Sequence, residues 1–295
     1  MSLFRIAYNV LMPLFILIVS TAIACIIGYG LVLLTDNHLP LAKTISRITE
    51  VLLILSIFPA LSILKLTKVD LGFSEKKIFS KQLIKGFTLG LSTLLPVFIV
   101  LYALGVHVID DSKIITLAFF AKKISLALLT ALIISLLEEP LFRGLIFISL
   151  KNKVSTVAAV FFSAFYYALV HFLQNKTEIS ANELSLLTSF QLAAGAFANL
   201  FNPSILSAFI ALLMVGVFLA MIRLKIPNSL GWCIGCHTAW VLQIKLSKEF
   251  FNTDFNSDYG YLVSHYDGVI GGLVSVWLLL AMTVYWIYQR YSQAK

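Results

Sequence analysis

The chain has 295 residues, of which 60% are hydrophobic and only 12% are charged. A soluble globular domain carries about 25% charged residues, so the composition excludes an ordinary soluble protein and predicts an integral membrane protein. The net charge of +8 does not require nucleic acid, because an excess of lysine and arginine in cytoplasmic loops arises from membrane insertion alone. We therefore expect the lipid bilayer as a partner, and no nucleic acid.

Apolar runs long enough to cross a bilayer, about 20 residues each, recur along the chain. They predict an all-α, polytopic transmembrane bundle of about eight spans that forms one domain over residues 1–295. The eight predicted spans are residues 8–34, 49–66, 86–106, 124–150, 154–174, 204–222, 228–246 and 268–288. The apolar stretch 186–201 is short, which favours a re-entrant or interfacial helix over a ninth span.

Basic residues concentrate in the connector 65–85, which carries six lysines against two acidic residues. The positive-inside rule places this connector in the cytoplasm. If the spans alternate, the acidic connector 247–266 faces outward and both termini lie in the cytoplasm, although Lys122 and Lys123 fall on the outer side. We expect a bacterial inner membrane, with the endoplasmic reticulum as the alternative.

The sequence CIGCH at residues 233–237 matches the attachment pattern for c-type haem. Haem attachment requires an accessible segment, whereas Cys233 and Cys236 lie inside a predicted span, so we expect no haem. A zinc site on both thiolates would lack a second CxxC or HxxxH partner. Buried cysteines usually pack as small apolar side chains.

The stretch SLLEEPLFRGLIF, residues 135–147, places three ionisable side chains inside the predicted span 124–150. Each costs roughly 2.5–3.5 kcal/mol near the bilayer centre. Glu139 and Arg143 are four residues apart, so they can form an ion pair on one helix face. Glu138 lies about 100° around the axis and lacks such a local partner, while Pro140 removes a backbone donor and opens space beside the carboxylates.

Two interpretations of these charges remain open from spacing alone. Glu139 and Arg143 could be a buried pair that fixes helix register, whereas the additional Glu138 favours a functional site. His171 and His237 also lie in predicted spans. A lone intramembrane histidine is most often an interhelical hydrogen-bond partner, but two of them with Glu138 indicate a site that activates water or binds an ion.

These residues resemble the motifs of the CAAX protease and bacteriocin-processing (CPBP) family of intramembrane proteases. The first motif is Glu138-Glu139 followed, after three residues, by Arg143. The second is Tyr167 four residues before His171, with tyrosine where phenylalanine is usual. The third is His237 with Val241 where the family has asparagine. The three motifs occur in order within residues 124–246, which would be the catalytic core.

The resemblance implies an intramembrane endopeptidase that hydrolyses a peptide bond in a membrane-associated peptide or protein tail. Glu138 would deprotonate the attacking water with help from His171, and His237 would stabilise the oxyanion. Glu139 and Arg143 would hold the site or position the substrate. Val241 predicts either reduced activity or a substitute oxyanion donor, for which Trp240 and Gln243 are the candidates.

Two histidines and a glutamate also match a catalytic zinc site in residue type, but the sequence has no HExxH helix. We favour a metal-free site and keep zinc as the alternative. Glu138 would lie about 20 Å from the cytoplasmic end of its span, whereas His171 is near the outer end of its own span. The catalytic interpretation therefore requires that the two side chains meet.

Two other classes of protein would also carry intramembrane charges. A transporter would place them near the bilayer midplane on broken helices, but the sequence shows no paired inverted halves. A non-catalytic relative, acting as a membrane scaffold or a bacteriocin-immunity protein, fits the missing asparagine.

Overall fold

The computed structural model describes residues 3–36, 38–114, 116–175 and 177–293. It confirms the all-α prediction, with a single two-stranded ribbon among the described residues. The helices are α1 (Leu3–Leu34), α2 (Leu41–Leu55), α3 (Ile57–Leu64), α4 (Lys76–Ala103), α5 (Leu117–Glu139), α6 (Phe147–Lys151), α7 (Thr156–His171), α8 (Leu186–Ala198), α9 (Leu206–Lys225), α10 (Leu230–Phe250) and α11 (Gly272–Gln293). The strands β1 (His107–Ile109) and β2 (Phe251–Thr253) pair antiparallel beyond the C-terminal ends of α4 and α10.

Five helical segments within the described residues are long and apolar enough to cross a bilayer, so the chain is an integral membrane protein. The five segments are Ile6–Leu34, Leu41–Leu64, Lys76–Ala103, Leu117–Lys151 and Pro203–Lys225. The predicted count of about eight spans is not confirmed. The apolar helix Thr156–His171 and the apolar part of α11, Gly272–Tyr288, are shorter, and α10 has 21 residues but carries several polar side chains. The stretch 186–201 forms the 13-residue helix α8 and one further turn.

The helix that carries the two glutamates is widened where the acidic motif ends. A π-helical segment, Pro140–Ile146, joins α5 to α6. Pro140 cannot donate a backbone hydrogen bond, which favours a departure from regular α-helix at this point. The carbonyl of Phe142 accepts a hydrogen bond of 2.8 Å from the hydroxyl of Ser163 on α7, so the widened turn is fixed to the neighbouring helix.

The connection between α6 and α7 explains how Glu138 and His171 reach the same depth. Glu138 lies 13 residues before the end of α6, a helical rise of about 20 Å, and His171 lies 15 residues after the start of α7, a rise of about 23 Å. The two arms of this hairpin are therefore almost equal in length. Because α7 ends after 16 residues, it stops beside Glu138 instead of filling the predicted span 154–174.

Glycines bring the backbones of α4 and α10 into direct contact. A Cβ atom on Gly235 would lie 2.1 Å from the carbonyl oxygen of Leu83, and one on Gly86 would lie 2.2 Å from that of Trp232. Small residues allow such close approach between helices in a membrane, where packing drives association. This contact fixes α10, and with it His237, against α4.

We predict that Gly235→Ala destabilises the protein, because its new methyl group would overlap main-chain atoms that cannot rotate away. Overpacking of this kind costs about 1–3 kcal/mol. Gly30→Ala in α1 is the matched control, since no other atom lies within 4 Å of its added Cβ. Unfolding midpoints of the two purified variants in the same detergent would test this, and equal midpoints would contradict it.

Candidate active site

The most buried part of the site is a chain of three charged or polar side chains from α5, the π-helical segment and α10. Glu139 Oε1 accepts hydrogen bonds from Arg143 Nη1 at 3.1 Å and from His237 Nδ1 at 2.8 Å. Glu139 and Arg143 have no solvent exposure, and His237 is 3% exposed. The Glu139–Arg143 ion pair expected from the spacing is present, and the same carboxylate also binds the histidine of the third motif.

Glu138, His171 and His237 face one another beside this chain. Glu138 Oε2 lies 4.0 Å from His171 Nε2 and 3.9 Å from His237 Nε2. These distances exceed a direct hydrogen bond. Glu138 Oε2 has no direct hydrogen-bond partner among the described residues, although 28% of its side chain is exposed. The structure thus brings together the three side chains that the motifs single out.

The hydrogen bonds of the two imidazole rings define which ring nitrogen faces Glu138. His171 Nδ1 donates to the backbone carbonyl of Tyr167 at 2.8 Å, so its Nε2 carries the lone pair in the neutral ring. His237 Nδ1 donates to the Glu139 carboxylate, so its Nε2 can donate only in the doubly protonated ring. His171 can accept a proton or hydrogen bond at Nε2.

Aromatic rings enclose the site from the side of α7. The guanidinium carbon of Arg143 lies 4.1 Å from the centre of the Tyr167 ring, a cation–π contact that adds to the ion pair with Glu139. The ring of Tyr167 also packs edge-on against Phe142, with centroids 5.3 Å apart. Tyr167 therefore holds the second motif against the first, which explains an aromatic residue four positions before His171.

A cavity of about 1290 Å³ gives the three side chains access to the exterior. Glu138, His171 and His237 line it, together with apolar side chains from α2, α5, α9 and α11. Lys245 and Lys248, near the C-terminal end of α10, also line it, together with Tyr266. Such a cavity can admit an extended apolar chain together with water.

The expected substitute oxyanion donors are both engaged elsewhere. Trp240 Nε1 donates to the hydroxyl of Thr93 on α4 at 3.0 Å. Gln243 Nε2 donates to the carbonyls of Gly90 and Ala239, at 3.2 and 3.1 Å. Val241, where the family has asparagine, lines the cavity and offers no side-chain donor. His237 is thus the donor that faces Glu138.

Tyr266 is a cavity residue that sequence motifs do not reveal. It lies in the loop between β2 and α11 and contacts Phe172, with ring centroids 5.0 Å apart. Burial, followed by the charges of Asp267 and Glu138, raises the pKa of Tyr266. Its hydroxyl therefore stays protonated at neutral pH and can donate a hydrogen bond inside the cavity. The loop has no periodicity or motif that would have indicated this position.

The geometry of the three ligand-type side chains suits a bridging water better than a shared metal. Zinc bound at about 2.0–2.1 Å to each ligand in a tetrahedron would bring neighbouring ligand atoms to about 3.4 Å. A water bonded at about 2.8 Å to each partner spans 3.9–4.0 Å readily. Within the described residues, no group of three or more His, Cys, Asp or Glu has metal-binding geometry.

Cys233 and Cys236 are fully buried in α10. The thiol of Cys233 donates to the carbonyl of Leu219 on α9 at 3.4 Å. Both side chains therefore contribute to helix packing.

We predict that Arg143→Met destabilises the protein by about 3–5 kcal/mol, because it leaves Glu139 charged in a site without solvent. The control is Arg47→Met, which removes an ion pair of 2.7 Å between side chains that are 69% and 41% exposed. Exposed pairs contribute about 0–1 kcal/mol. Chemical unfolding in detergent would compare the free energies of unfolding of the two variants. A similar small decrease in both would show that the buried pair contributes no more to stability than the exposed pair.

Residues 120–242, which contain the site, are similar to a known protein family. No curated protein and no solved structure matches the chain. Residues 120–242 match the family model described as type II CAAX prenyl endopeptidase Rce1-like, and this match contains all three motifs. It confirms the resemblance found in the sequence and supports membership of the CPBP family of intramembrane proteases, which are hydrolases.

Proposed function

We propose that the protein is an intramembrane endopeptidase in which Glu138 activates water for attack on a peptide bond of a membrane-associated peptide or protein tail. The observation that carries the proposal is the position of Glu138 Oε2, 3.9–4.0 Å from two imidazole Nε2 atoms at the end of an accessible cavity. Three polar atoms that face each other without direct bonds can hold one water molecule between them.

In this mechanism Glu138 takes a proton from the water while His171 Nε2 orients it by accepting its second hydrogen. The resulting hydroxide adds to the carbonyl carbon of the substrate, and the carbonyl oxygen becomes an oxyanion. In its doubly protonated form, with Nδ1–H bonded to Glu139, His237 donates from Nε2 to this oxyanion. Glu138 then delivers its proton to the leaving nitrogen as the C–N bond breaks, which regenerates the carboxylate.

Glu139 and Arg143 act as positioning residues in this proposal. Glu139 fixes the orientation of His237 through the bond of 2.8 Å to Nδ1. Arg143 neutralises Glu139 and keeps it in place. The hydroxyl of Tyr266 is the candidate for a second oxyanion donor in place of the missing asparagine, since it is protonated and lines the same cavity.

The site's orientation in the membrane follows from its position relative to the basic connector 65–85. The backbone N–H of Leu230, at the start of α10, donates to the carbonyl of Gly72 in that connector, whereas the exposed cavity residue Lys248 lies near the other end of α10. With the connector in the cytoplasm, as the positive-inside rule favours, the substrate would approach from the non-cytoplasmic side. In a bacterial inner membrane, this is the periplasmic side.

We predict that Glu138→Gln lowers the rate of peptide cleavage by about 10²–10⁴, the usual contribution of a general base. The substitution keeps the shape of the side chain, so folding and substrate binding should be retained. Glu183→Gln, on the exposed turn before α8, is the matched control and should cleave at the wild-type rate. Cleavage would be measured with purified protein in proteoliposomes and a quenched fluorescent peptide.

The same variant separates a protease from a non-catalytic scaffold. If Glu138→Gln cleaves as fast as the wild type, the proposed mechanism is wrong. If the wild type binds peptide without cleaving any, the protein is a scaffold and the enzymatic proposal fails.

We predict that cleavage survives dialysis against a strong zinc chelator, because the spacing of Glu138, His171 and His237 suits water better than a metal ion. Activity would be followed before and after dialysis, and again after adding back Zn²⁺. Loss of activity that Zn²⁺ restores would instead identify these side chains as ligands of a catalytic metal.

A further inference from the structure

The second motif has a tyrosine at position 167, and the contacts of its ring do not explain its hydroxyl. The centre of the ring lies 4.1 Å from the guanidinium carbon of Arg143 and 5.3 Å from the ring centre of Phe142. Phenylalanine at position 167 would make both contacts. The hydroxyl is therefore an additional polar group that helix packing does not require.

The hydroxyl of Tyr167 faces the cavity. Only 2% of the residue is exposed, and the residue lines the cavity. The hydroxyl forms no hydrogen bond within the described residues, yet it is not sealed from solvent. The small exposed part of Tyr167 therefore includes the hydroxyl. Because most buried polar side-chain groups have a partner in the protein, this hydroxyl is a donor that remains available to a bound molecule.

The ring of Tyr167 lies beside the two histidines of the site. Its centre is 4.5 Å from the ring centre of His171 and 6.0 Å from that of His237. Tyr167 precedes His171 by four residues, so both side chains project from the same face of α7. In the proposed mechanism Glu138 and His171 accept hydrogen bonds, and only His237 donates one. A tyrosine hydroxyl can supply a further donor.

We propose that the hydroxyl of Tyr167 donates a hydrogen bond to the oxyanion of the tetrahedral intermediate. This inference rests on the proposed endopeptidase function and adds a catalytic residue to it. When hydroxide adds to the carbonyl carbon, the π-electron pair of the carbonyl moves to its oxygen, which then accepts hydrogen bonds from Tyr167 and His237. The phenol keeps its proton throughout. When the C–N bond breaks, the electron pair re-forms the carbonyl and the two hydrogen bonds weaken.

The surroundings of Tyr167 suit a donor that is in place before the reaction. Its ring is held by Arg143 and Phe142 on a helix, whereas Tyr266 belongs to a loop. A donor that is already oriented costs no reorganisation when charge develops on the substrate. Val241 lines the same cavity without a side-chain donor. Tyr167 would therefore supply from α7 the hydrogen bond that Val241 cannot supply from α10.

The test is Tyr167→Phe, assayed with purified protein in proteoliposomes and a quenched fluorescent peptide. We expect kcat to fall by about 10², the usual effect of removing one oxyanion donor. KM should stay nearly unchanged, because this hydrogen bond forms only as the charge develops. Phenylalanine keeps both ring contacts, so the unfolding midpoint should equal that of the wild type.

The matched control is Tyr166→Phe. The hydroxyl of Tyr166 donates to the carbonyl of Val10, and the residue is outside the set that lines the cavity. This variant should keep the wild-type kcat. An equal loss of kcat in Tyr166→Phe and Tyr167→Phe would overturn the assignment, because the loss would then follow from removing any buried hydroxyl of α7.

Val241→Asn supplies a readout that a merely structural role would not change. It places an amide donor on α10, so Tyr167→Phe should cost less than about tenfold in kcat in this background. An equal loss in both backgrounds would overturn the assignment. Wild-type kcat in Tyr167→Phe, with Glu138→Gln inactive, would overturn it and leave the endopeptidase proposal intact. Absence of cleavage by the wild type would overturn both proposals.

Discussion

The arrangement of the site depends on one buried carboxylate oxygen. Glu139 Oε1 is shared between Arg143 and His237, in surroundings that exclude solvent from the carboxylate and the guanidinium. A buried charge is tolerated only when it is paired and hydrogen-bonded. Because Arg143 belongs to the same helical segment as Glu139 and His237 belongs to α10, this oxygen both neutralises the arginine and ties α10 to the acidic motif.

The two adjacent glutamates therefore have opposite environments. Glu139 has no solvent exposure and bonds Arg143 and His237 through Oε1, whereas the side chain of Glu138 is 28% exposed and lines the cavity. The rotation of about 100° between successive helical residues produces this division. The widened turn after Pro140 and the early end of α7 then place His171 at the depth of Glu138. One carboxylate organises the site while the other remains accessible.

The sequence predicted those parts of the molecule that depend on local spacing. The membrane location, the helical class and the Glu139–Arg143 pair all follow from hydropathy and from residues four apart. The contact between Glu139 and His237 joins positions 98 residues apart, and no local pattern indicates it. The count of spans was less predictable because α7 is apolar but short. Hydropathy measures whether a segment favours lipid, but does not show where its helix ends.

The hydrogen-bond partners of Trp240 and Gln243 could not be predicted from the local sequence either. Both lie within two turns of His237, and their donors could have been directed at the substrate. The glycines of α4 direct both donors to α4 instead. Because Gly86 and Gly90 let the backbone of α4 approach α10, the carbonyl of Gly90 comes within reach of Gln243, and the hydroxyl of Thr93 comes within reach of Trp240. The close packing of α10 against α4 therefore also engages the two donors near His237 in hydrogen bonds with α4. In the proposed mechanism, which has no asparagine at position 241, the charge that develops on the substrate would be stabilised by His237 and by groups outside α10.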